Sequence, residues 1–522
     1  MCASDSTYLN CRGEMEITTM VVLKDAFCMS LPNFTNLIAL PVITKGATGI
    51  LNQSMDVFFE NTTVVQIEHI PLDLLLPLSG SYVIKFLQLI NHIRVSDGLT
   101  DSWFRLFIFL FVFRYLRLIV HIVAYNRFKP KPVLDNPKYT ANDVTVVIPT
   151  VDPRGTAWVE CLDRVLANGP AEILVVTVGE DNIREATKYC KTLSLCIRVL
   201  SVPAPSKREQ VKRAVLETKT AITILCDDTV FWPPTFIPHI LAPFEDPLVG
   251  IVGTCKRVRR VLGTFGMADF WNLCGVFRLE RTNFDLASTN AVDGGVSCIS
   301  GRTCAIRTCI LKDEDFLQAY TNEYIFWGRI GPLNAGDDKL VTRMILQRGW
   351  KVFHQNCPEV RIETILGVKG GGSRFLGQCL RWARSSARDN PKMIFKDGLW
   401  RQYPWTTYAV LATSIVNYAA VYDPALLFML CRALRNPAVC KLLGGGARLP
   451  LVLLFFWIMA SKFVRPASHY WRHPRDLRYA PFIIIFGYYH SWIKLHALFT
   501  CWDISWGTRP GIDAAAKKQK TG

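Results

Sequence analysis

Apolar residues along this chain gather into a few long blocks that flank a central region of shorter runs. The block at 103–125 is long enough to cross a bilayer as one helix, which takes roughly 20 apolar residues. An earlier block, at 71–92, is interrupted by charged residues and a proline, so it makes a poorer span. Three more blocks follow the central region, at 405–432, 449–466 and 480–500. This pattern predicts membrane helices on both sides of a folded domain, in a number that it leaves open.

Within the central region, three short runs are rich in β-branched residues and predict strands, at 144–149, 173–178 and 222–226. Continuous apolar runs suit strands that are buried on both faces, so they favour a parallel sheet covered by helices. A helical stretch at 209–219 lies between two of the strands. We therefore expect an α/β domain, in which ligands bind at the carboxyl ends of the strands.

Changes in composition divide the chain further. Residues 1–69 hold sequons at Asn33, Asn52 and Asn61, which indicate a luminal N-terminus, and a cytosolic tail with unused sequons is the alternative. The predicted organisation is an N-terminal region (1–69), N-terminal membrane segments (70–128), a Pro-punctuated linker (129–142), a cytosolic α/β domain (143–400), a C-terminal transmembrane region (401–502) and a tail (503–522).

Charge narrows the classes of partner. Half of the 522 residues are hydrophobic, and the formal net charge is +17. Such a surplus suits nucleic acid, an anionic membrane face or an anionic substrate. The sequence carries no RNA- or DNA-binding motif, and many Lys and Arg lie beside the apolar blocks, which favours a cytosolic membrane face over nucleic acid. The 17 cysteines lack zinc-site spacing, which predicts reduced, buried thiols.

Two acidic pairs stand in the central region. Asp227 and Asp228 directly follow the third predicted strand, and their carboxylates would repel each other unless a cation lies beside them. Carboxylates together with nucleotide phosphates suit Mg²⁺ or Mn²⁺, and a solvated turn is the alternative. The second pair, Asp337 and Asp338, follows a glycine, a pattern that is also typical of a turn beginning a helix.

A third group of polar residues lies after the second acidic pair. On a helix, Gln378, Arg381 and Trp382 fall at i, i+3 and i+4, so they share one face. A guanidinium suits phosphate or carboxylate, and an indole ring can stack on a sugar or a base. The alternative is an interfacial helix whose Arg and Trp lie at the level of the lipid headgroups.

The order of these features resembles that of the processive family 2 glycosyltransferases, which include hyaluronan, chitin and cellulose synthases. The likeness is strongest to the fungal capsule-polysaccharide-synthase-like branch. It rests on the acid pair, the second acid pair, the Q-x-x-R-W motif at 378–382 and the apolar blocks after it. The resemblance implies a GT-A-type, Rossmann-like α/β domain embedded between α-helical transmembrane segments, and a Mg²⁺ or Mn²⁺ cofactor.

Individual roles follow from the resemblance. The first acidic pair occupies the position of the D-x-D motif, although Cys226 or Thr229 then replaces one expected acid. Asp338 matches the general base of hyaluronan synthases, and Glu180, with Asp181 as the alternative, replaces an acid at the end of the second strand. The implied metal ligands are Asp227 and Asp228, the catalytic residues are Asp338 and Asp337, and the substrate-binding residues are Asp152, Glu180, Lys207, Asp227, Gln378, Arg381 and Trp382.

The resemblance also implies the reaction and its setting. The expected enzyme is a multi-pass protein of the plasma membrane that polymerises sugar from a UDP-sugar donor onto a growing extracellular or cell-wall polysaccharide by an inverting reaction. A non-processive glycolipid or dolichol-type transferase is the first alternative, and a catalytically inactive membrane scaffold is the second. The sequence does not identify the sugar, the linkage or the oligomeric state.

Overall fold

The computed structural model describes residues 100–260, 265–368 and 371–505. The apolar block at 71–92, the three sequons and most of the predicted tail lie outside the described residues. The strands are β1 (Val144–Pro149), β2 (Glu172–Val178), β3 (Ile197–Val202), β4 (Ile222–Cys226), β5 (Val230–Phe231), β6 (Val249–Thr254), β7 (Lys256–Val258), β8 (Thr303–Arg307), β9 (Lys351–Gln355) and β10 (Ile362–Thr364).

Helices surround and follow these strands. They are α1 (Ser102–Arg127), α2 (Thr156–Leu166), α3 (Glu180–Leu193), α4 (Lys207–Glu217), α5 (Phe236–Leu241), α6 (Met267–Asp293), α7 (Thr308–Lys312), α8 (Glu314–Thr321), α9 (Asp337–Gln347), α10 (Gly371–Pro391), α11 (Pro404–Val416), α12 (Ala419–Ala433), α13 (Pro437–Leu442), α14 (Arg448–Val464), α15 (Ala467–Arg472) and α16 (Ala480–Leu498).

The large sheet has seven strands in the order β3-β2-β1-β4-β8-β6-β9. β1 is an interior strand of this sheet and pairs in parallel with β2 and β4, so that Val147 stands opposite Leu174 and Leu225. β8 runs antiparallel to both β4 and β6. A smaller sheet has the order β5-β10-β7. The fold is a GT-A-like α/β arrangement with a mixed sheet, in which β1 and β4 end side by side.

The large sheet separates two apolar layers. On one face, Val146 and Ile148 of β1 pack with Trp158 and Leu162 of α2. On the other face, Val147 packs in a second cluster. Because consecutive side chains of a strand point to opposite faces, a continuous apolar run such as β1 is buried on both sides. All six residues of β1 are buried, as the sequence predicts.

The strands predicted at 144–149, 173–178 and 222–226 are present, and the helix predicted at 209–219 is α4, which begins two residues earlier. The expectation of a parallel sheet is wrong for β8. β8 lies between β4 and β6 and runs in the opposite direction to both. A mixed sheet of this kind buries the same apolar area as a parallel sheet. The sequence of β8 therefore carries no signal of its direction.

Helices that suit a membrane are fewer than the apolar blocks predict. In residues 100–260, 265–368 and 371–505, α1 is the helix that has the length and apolar composition of a span. α11 and α12 have the length and apolar composition of a span only when they are taken together, and the angle between the two helices is 85°. The blocks at 449–466 and 480–500 fold as α14 and α16, which do not reach that combination of length and composition.

Candidate active site

A cavity of about 970 Å³ opens at the carboxyl ends of β1 and β4. Its walls include Thr150 after β1, the pair Asp227 and Asp228 after β4, the first turn of α9 and one face of α10. The sheet order places β1 beside β4, so these loops meet at one edge, where open α/β sheets bind ligands. The cavity also continues between α1, α6, α11 and α16.

Asp228 is the more deeply placed acid of the first pair. Its side chain is buried and accepts a hydrogen bond of 3.0 Å from the Thr150 hydroxyl. The backbone N–H of Asp227 donates to the carbonyl of Arg302, at 2.8 Å, which ties the turn to the loop before β8. These contacts fix the positions of Asp227 and Asp228 at the carboxyl ends of β1 and β4.

Lys207, the first residue of α4, joins the two acidic pairs. Its Nζ donates to Asp227 Oδ1 at 2.6 Å and lies 3.5 Å from Asp337 Oδ2. It also donates to the Gly301 carbonyl at 3.1 Å. Although burial opposes the charge, the carboxylates of Asp227 and Asp337 raise the pKa of Lys207 well above its ordinary value. The ammonium thus remains charged between the two pairs.

Asp337 and Asp338 form the first turn of α9, where the free backbone N–H groups of a helix favour negative charge. The turn before them needs Gly336, whose φ of +88° suits a residue without a Cβ. Gly301 packs directly against this pair. A methyl group on Gly301 would lie 3.2 Å from Asp338 Cβ and 3.4 Å from Lys207 Nζ. The second acidic pair, Lys207 and the loop before β8 are therefore in close contact.

The predicted face of α10 lines the same cavity. Gln378, Arg381 and Trp382 all belong to its wall. Burial lowers the pKa of Arg381, whereas the nearby carboxylates, of which Asp338 acts most strongly, oppose this change. The Arg381 guanidinium lies 5.9 Å from the centre of the Trp382 ring. The structure thus brings the acid pairs and the Q-x-x-R-W residues to one site.

The first acidic pair suits a metal that is shared with a ligand. Within the residues that the structure describes, no three His, Cys, Asp or Glu side chains converge into a site made of protein groups alone. Mg²⁺ in nucleotide sites commonly takes one or two carboxylates together with phosphate oxygens. Asp227 and Asp228 provide such a donor set, and the ammonium of Lys207 lies against the same carboxylate of Asp227.

Two predicted substrate residues are not part of the cavity wall. Asp152 is exposed, and its Oδ1 accepts from the backbone N–H of Arg154 at 3.4 Å. Glu180 is exposed in the first turn of α3. Both follow strands at the correct edge of the sheet, but they lie beyond the part that Thr150 and Val151 line. Their role in binding a substrate stays a prediction.

Sequence reasoning missed other residues of the site. Lys256 of β7 is 2% exposed and lines the cavity, and burial together with the charge of Arg302 lowers its pKa to about 8. Arg302 and Arg278 lie against the Trp382 ring, at 5.6 and 4.2 Å from its centre. In the sequence, the available signal for Lys256 is its position directly after the apolar run 249–255. An exposed strand end is the simpler interpretation of that pattern.

Polar residues also lie among the helices. Arg114 pairs with Asp423, which accepts from Lys462 Nζ at 2.7 Å and from the Tyr488 hydroxyl at 2.9 Å. Arg117 is buried and donates to the carbonyl of Ala409 at 3.2 Å. Arg114 and Arg117 of the 103–125 block therefore face the interior between helices.

The sequence comparisons agree with one another. The family model described as "Glycosyltransferase like family 2" matches residues 141–385, which contain both acidic pairs and the Q-x-x-R-W residues. A type 2 glycosyltransferase of Zymoseptoria tritici is 39% identical over 417 residues, which cover 79% of this chain and 85% of the relative. The NDP-glycosyltransferase ltbB of Aspergillus luteorubrus is 32% identical over 323 residues, which cover 58% of this chain and 76% of the relative.

Among solved structures, this chain is similar to a mannosyltransferase from Pyrobaculum calidifontis in complex with GDP-Man and Mn²⁺. The TM-score is 0.44 at 18% sequence identity, and the match covers 70% of this chain and 98% of the mannosyltransferase.

Proposed function

This chain belongs to glycosyltransferase family 2 and is a glycosyltransferase, and we propose that it is an inverting, processive polysaccharide synthase with a UDP-sugar donor. One observation carries the proposal. The two acidic pairs and the Q-x-x-R-W residues line a single cavity that continues between α1, α11 and α16. In this proposal, the nucleotide sugar binds at the edge of the large sheet. The part of the cavity between the apolar helices then gives the growing polymer the polar path that its export requires.

Asp338 is the general base in this proposal. A single inverting displacement needs one base within reach of the acceptor hydroxyl. The acceptor oxygen attacks the anomeric carbon, the bond from that carbon to the diphosphate breaks, and the hydroxyl proton passes to Asp338. Asp338 lies in the first turn of α9 beside Gly301 and lines the cavity, where such an acceptor can reach it. Asp337 assists by holding Lys207 at 3.5 Å.

The leaving diphosphate needs positive charge where its own charge develops. Arg381 of α10 and Lys207 of α4 supply it from the wall of the cavity, and preorganised cations of this kind stabilise a transition state most when water is excluded. Asp227 and Asp228 are the residues that would hold Mg²⁺ or Mn²⁺, which neutralises diphosphate oxygens when bound. Trp382 and Gln378 then position the sugar of the acceptor.

A nucleoside-diphosphate sugar as donor is supported by the relative named as an NDP-glycosyltransferase. The choice of UDP rests on the likeness to hyaluronan, chitin and cellulose synthases. We place the catalytic domain in the cytosol and the enzyme in the plasma membrane, with a growing polysaccharide and the lipid bilayer as its partners.

The rival to this proposal is a non-processive transferase that glycosylates a lipid. The small number of candidate spans favours this rival. In the described parts of the chain, only α1, and the bent pair α11 and α12 taken together, have the length and composition of a membrane span. An inactive scaffold is the other rival, because the D-x-D position departs from the family pattern at Cys226 or Thr229.

The deciding experiment supplies the purified full-length protein with single radiolabelled UDP-sugars and measures UDP release and product size. We expect one sugar to give UDP release that depends on a divalent cation, together with products of many sugars. Absence of UDP release with every sugar would favour the scaffold. UDP release with one or two sugars added per acceptor would favour the glycolipid transferase.

A further inference from the structure

One part of the cavity carries a large excess of positive charge. We call it the helical part, because its walls come from α1, α6, α11, α14 and α16. Asp285 is the acidic side chain that lines it among the described residues, since the other acids of the cavity wall are the two pairs at the sheet edge. Seven cationic side chains line the helical part: Arg114, Arg117, Arg278, Arg281, Lys462, Arg465 and Lys494.

Carboxylates balance only a few of these charges. Asp285 lies 3.4 Å from Arg465 Nε. The carboxylate of Asp423 is shared by Arg114 and by Lys462, whose Nζ lies at 2.7 Å. In the described parts of the chain, these two carboxylates are the salt-bridge partners of the seven cations, so most of the positive charge is left uncompensated.

The other four cations contact neutral groups. Arg278 lies 4.2 Å from the centre of the Trp382 ring. Lys494 Nζ donates to the carbonyl of Asn417 at 3.4 Å. A ring face or a carbonyl oxygen satisfies a cation locally, but it carries no net charge. The cations without a salt bridge among the described residues are Arg117, Arg278, Arg281 and Lys494.

Like charges held together in a buried space are unfavourable without an anion. Burial lowers the pKa of Arg281, and the neighbouring charge of Arg465 lowers it further. Guanidinium groups nevertheless keep their charge in proteins. An anion that enters the helical part would relieve this repulsion and would accept hydrogen bonds from more than one guanidinium group.

The cations are spread along the path and do not gather at one point. Arg278 lies beside Trp382, and Arg281 follows one turn later on α6. Asp285, where the charges of Arg465 and Arg117 act, is about 10 Å further along the helix axis than Arg278. A small anion would balance the charge at one level only, whereas a chain with anionic groups at intervals would balance it at several. Arg and Lys likewise line pores that select anions.

An unpaired cation also lies at the transfer site. Lys256 of β7 is buried, lines the same cavity and forms no salt bridge within the described residues. The charges of Arg302 and Asp338 act on its pKa in opposite directions, so its ammonium lies near the proposed base. An acidic sugar that is transferred at Asp338 would therefore have a cation beside it from the start.

We infer that the polymer that passes along the helical part is acidic, with a carboxylate on its sugar units, and that the donor is therefore a UDP-linked uronate. The inference rests on the proposed polysaccharide synthesis and adds the chemical class of the sugar. A sugar carboxylate brings one negative charge per unit, which suits cations that follow one another along α6.

The first test supplies matched pairs of donors to the purified full-length protein in detergent with Mn²⁺. UDP-glucuronate is compared with UDP-glucose, and UDP-galacturonate with UDP-galactose, because the members of each pair differ only at C6. We expect UDP release and long products with a uronate donor, and little of either with its neutral counterpart. Long products made equally well from a neutral donor would overturn the inference and leave the proposed function intact.

A binding measurement tests the helical part even if no donor is turned over, in which case the proposed function fails by itself. The probes are a β-1,4-linked glucuronate hexasaccharide and cellohexaose, which share one backbone and differ only in the carboxylates. Calorimetry in the presence of UDP and Mn²⁺ should show tighter binding of the acidic probe. Equal affinity for the two probes would reject an acidic polymer.

Variants of Arg281 connect this preference to the helical part. We expect Arg281→Gln to raise the Kd of the acidic probe about tenfold and to leave that of cellohexaose unchanged. Arg281→Lys keeps the charge and should retain most of the affinity, and Arg435→Gln, at an exposed position after α12, is the matched control. Lys494→Gln on α16 repeats the test if the melting temperature shows that Arg281→Gln does not fold. An unchanged Kd for the acidic probe in the folded variant would overturn the inference.

Discussion

At the scale of single residues, the site is organised around Lys207, which lies between the two acidic pairs and contacts Asp227 and Asp337. A cation in this place permits several carboxylates to share a small volume, because each is stabilised by an opposite charge. It leaves Asp338, the neighbour of Asp337, facing the cavity for another task. The geometry therefore separates an acid that anchors charge from an acid that can take a proton.

The assignment of Asp338 as base predicts a large effect of Asp338→Asn on turnover. An amide cannot accept the acceptor proton, so we expect the rate of sugar transfer to fall by about 10²–10⁴-fold. Binding of UDP, measured by calorimetry, should be retained because the proposed mechanism assigns the diphosphate to Arg381, Lys207 and the first acidic pair. The matched control is Asp315→Asn, an exposed acid of α8. Wild-type turnover in Asp338→Asn would assign the base elsewhere.

Substitutions of Arg381 test whether activity needs the planar guanidinium group or only a positive charge. Lys in its place keeps a positive charge but loses the planar fork that grips two phosphate oxygens. We expect Arg381→Lys to lose nearly as much kcat/KM as Arg381→Ala. If Lys restores most of the activity, the contact is a point charge and α10 has a structural role.

The proposed metal site at the first acidic pair predicts that activity depends on a divalent cation. Chelation should abolish sugar transfer, and added Mg²⁺ or Mn²⁺ should restore it. Asp228→Ala should weaken the binding of UDP in the presence of Mn²⁺ but not in its absence, whereas Asp163→Ala, an exposed acid of α2, should change neither. Full activity in excess chelator would leave Asp227 and Asp228 as an ordinary turn.

At the scale of elements, Asp423 joins helices that are distant in sequence. It lies in α12, and its partners come from α1, α14 and α16. Removing one partner of a buried ion pair costs about 3–5 kcal/mol, because the other charge is left uncompensated. We therefore expect Asp423→Asn to lower the melting temperature of the protein in detergent markedly.

A double variant separates this charge effect from a loss of packing. If uncompensated charge is the cause, Arg114→Met combined with Asp423→Asn should recover part of the lost stability, since one stranded cation is removed. Strictly additive losses of melting temperature in the double variant would contradict a direct interaction between Arg114 and Asp423.

The elements that could be predicted from the sequence are those whose periodicity is unambiguous. β1, β2 and β4 are continuous apolar runs, and burial on both faces of the sheet leaves no other pattern for them. The motif residues Gln378, Arg381 and Trp382 were found because helical spacing places them on one face. Neither argument needs knowledge of the tertiary packing.

Other parts of the site depend on packing that the sequence does not display. Lys256 and Arg278 are charged residues at a strand and on a long helix, where solvent exposure is the simpler expectation. They line the cavity only because α6 packs against α10 and β7 joins the second sheet. The direction of β8 is equally hidden, because its residues are buried whichever way the strand runs.

At the scale of the whole molecule, the cavity connects the edge of the sheet that carries the acidic pairs with a space between helices. A hydrophilic polymer cannot cross lipid unaided, because each hydroxyl without a partner costs free energy there. Polar groups within apolar helices usually face a bundle interior or a cavity. Arg114, Arg117 and His490 all line this cavity, which is the arrangement that an export path needs.

Reconstituted vesicles with the catalytic domain facing outward test the export of the product. A synthase that exports its polymer should place long labelled chains inside the lumen, protected from added hydrolase, from the earliest time points onward. The control is the same vesicles opened with detergent, in which hydrolase should digest every product. Because a path between helices must admit the chain as it grows, protection should rise in step with polymer length. Short products that are all accessible to hydrolase would instead assign the cavity to a lipid acceptor and replace processive synthesis with glycolipid transfer.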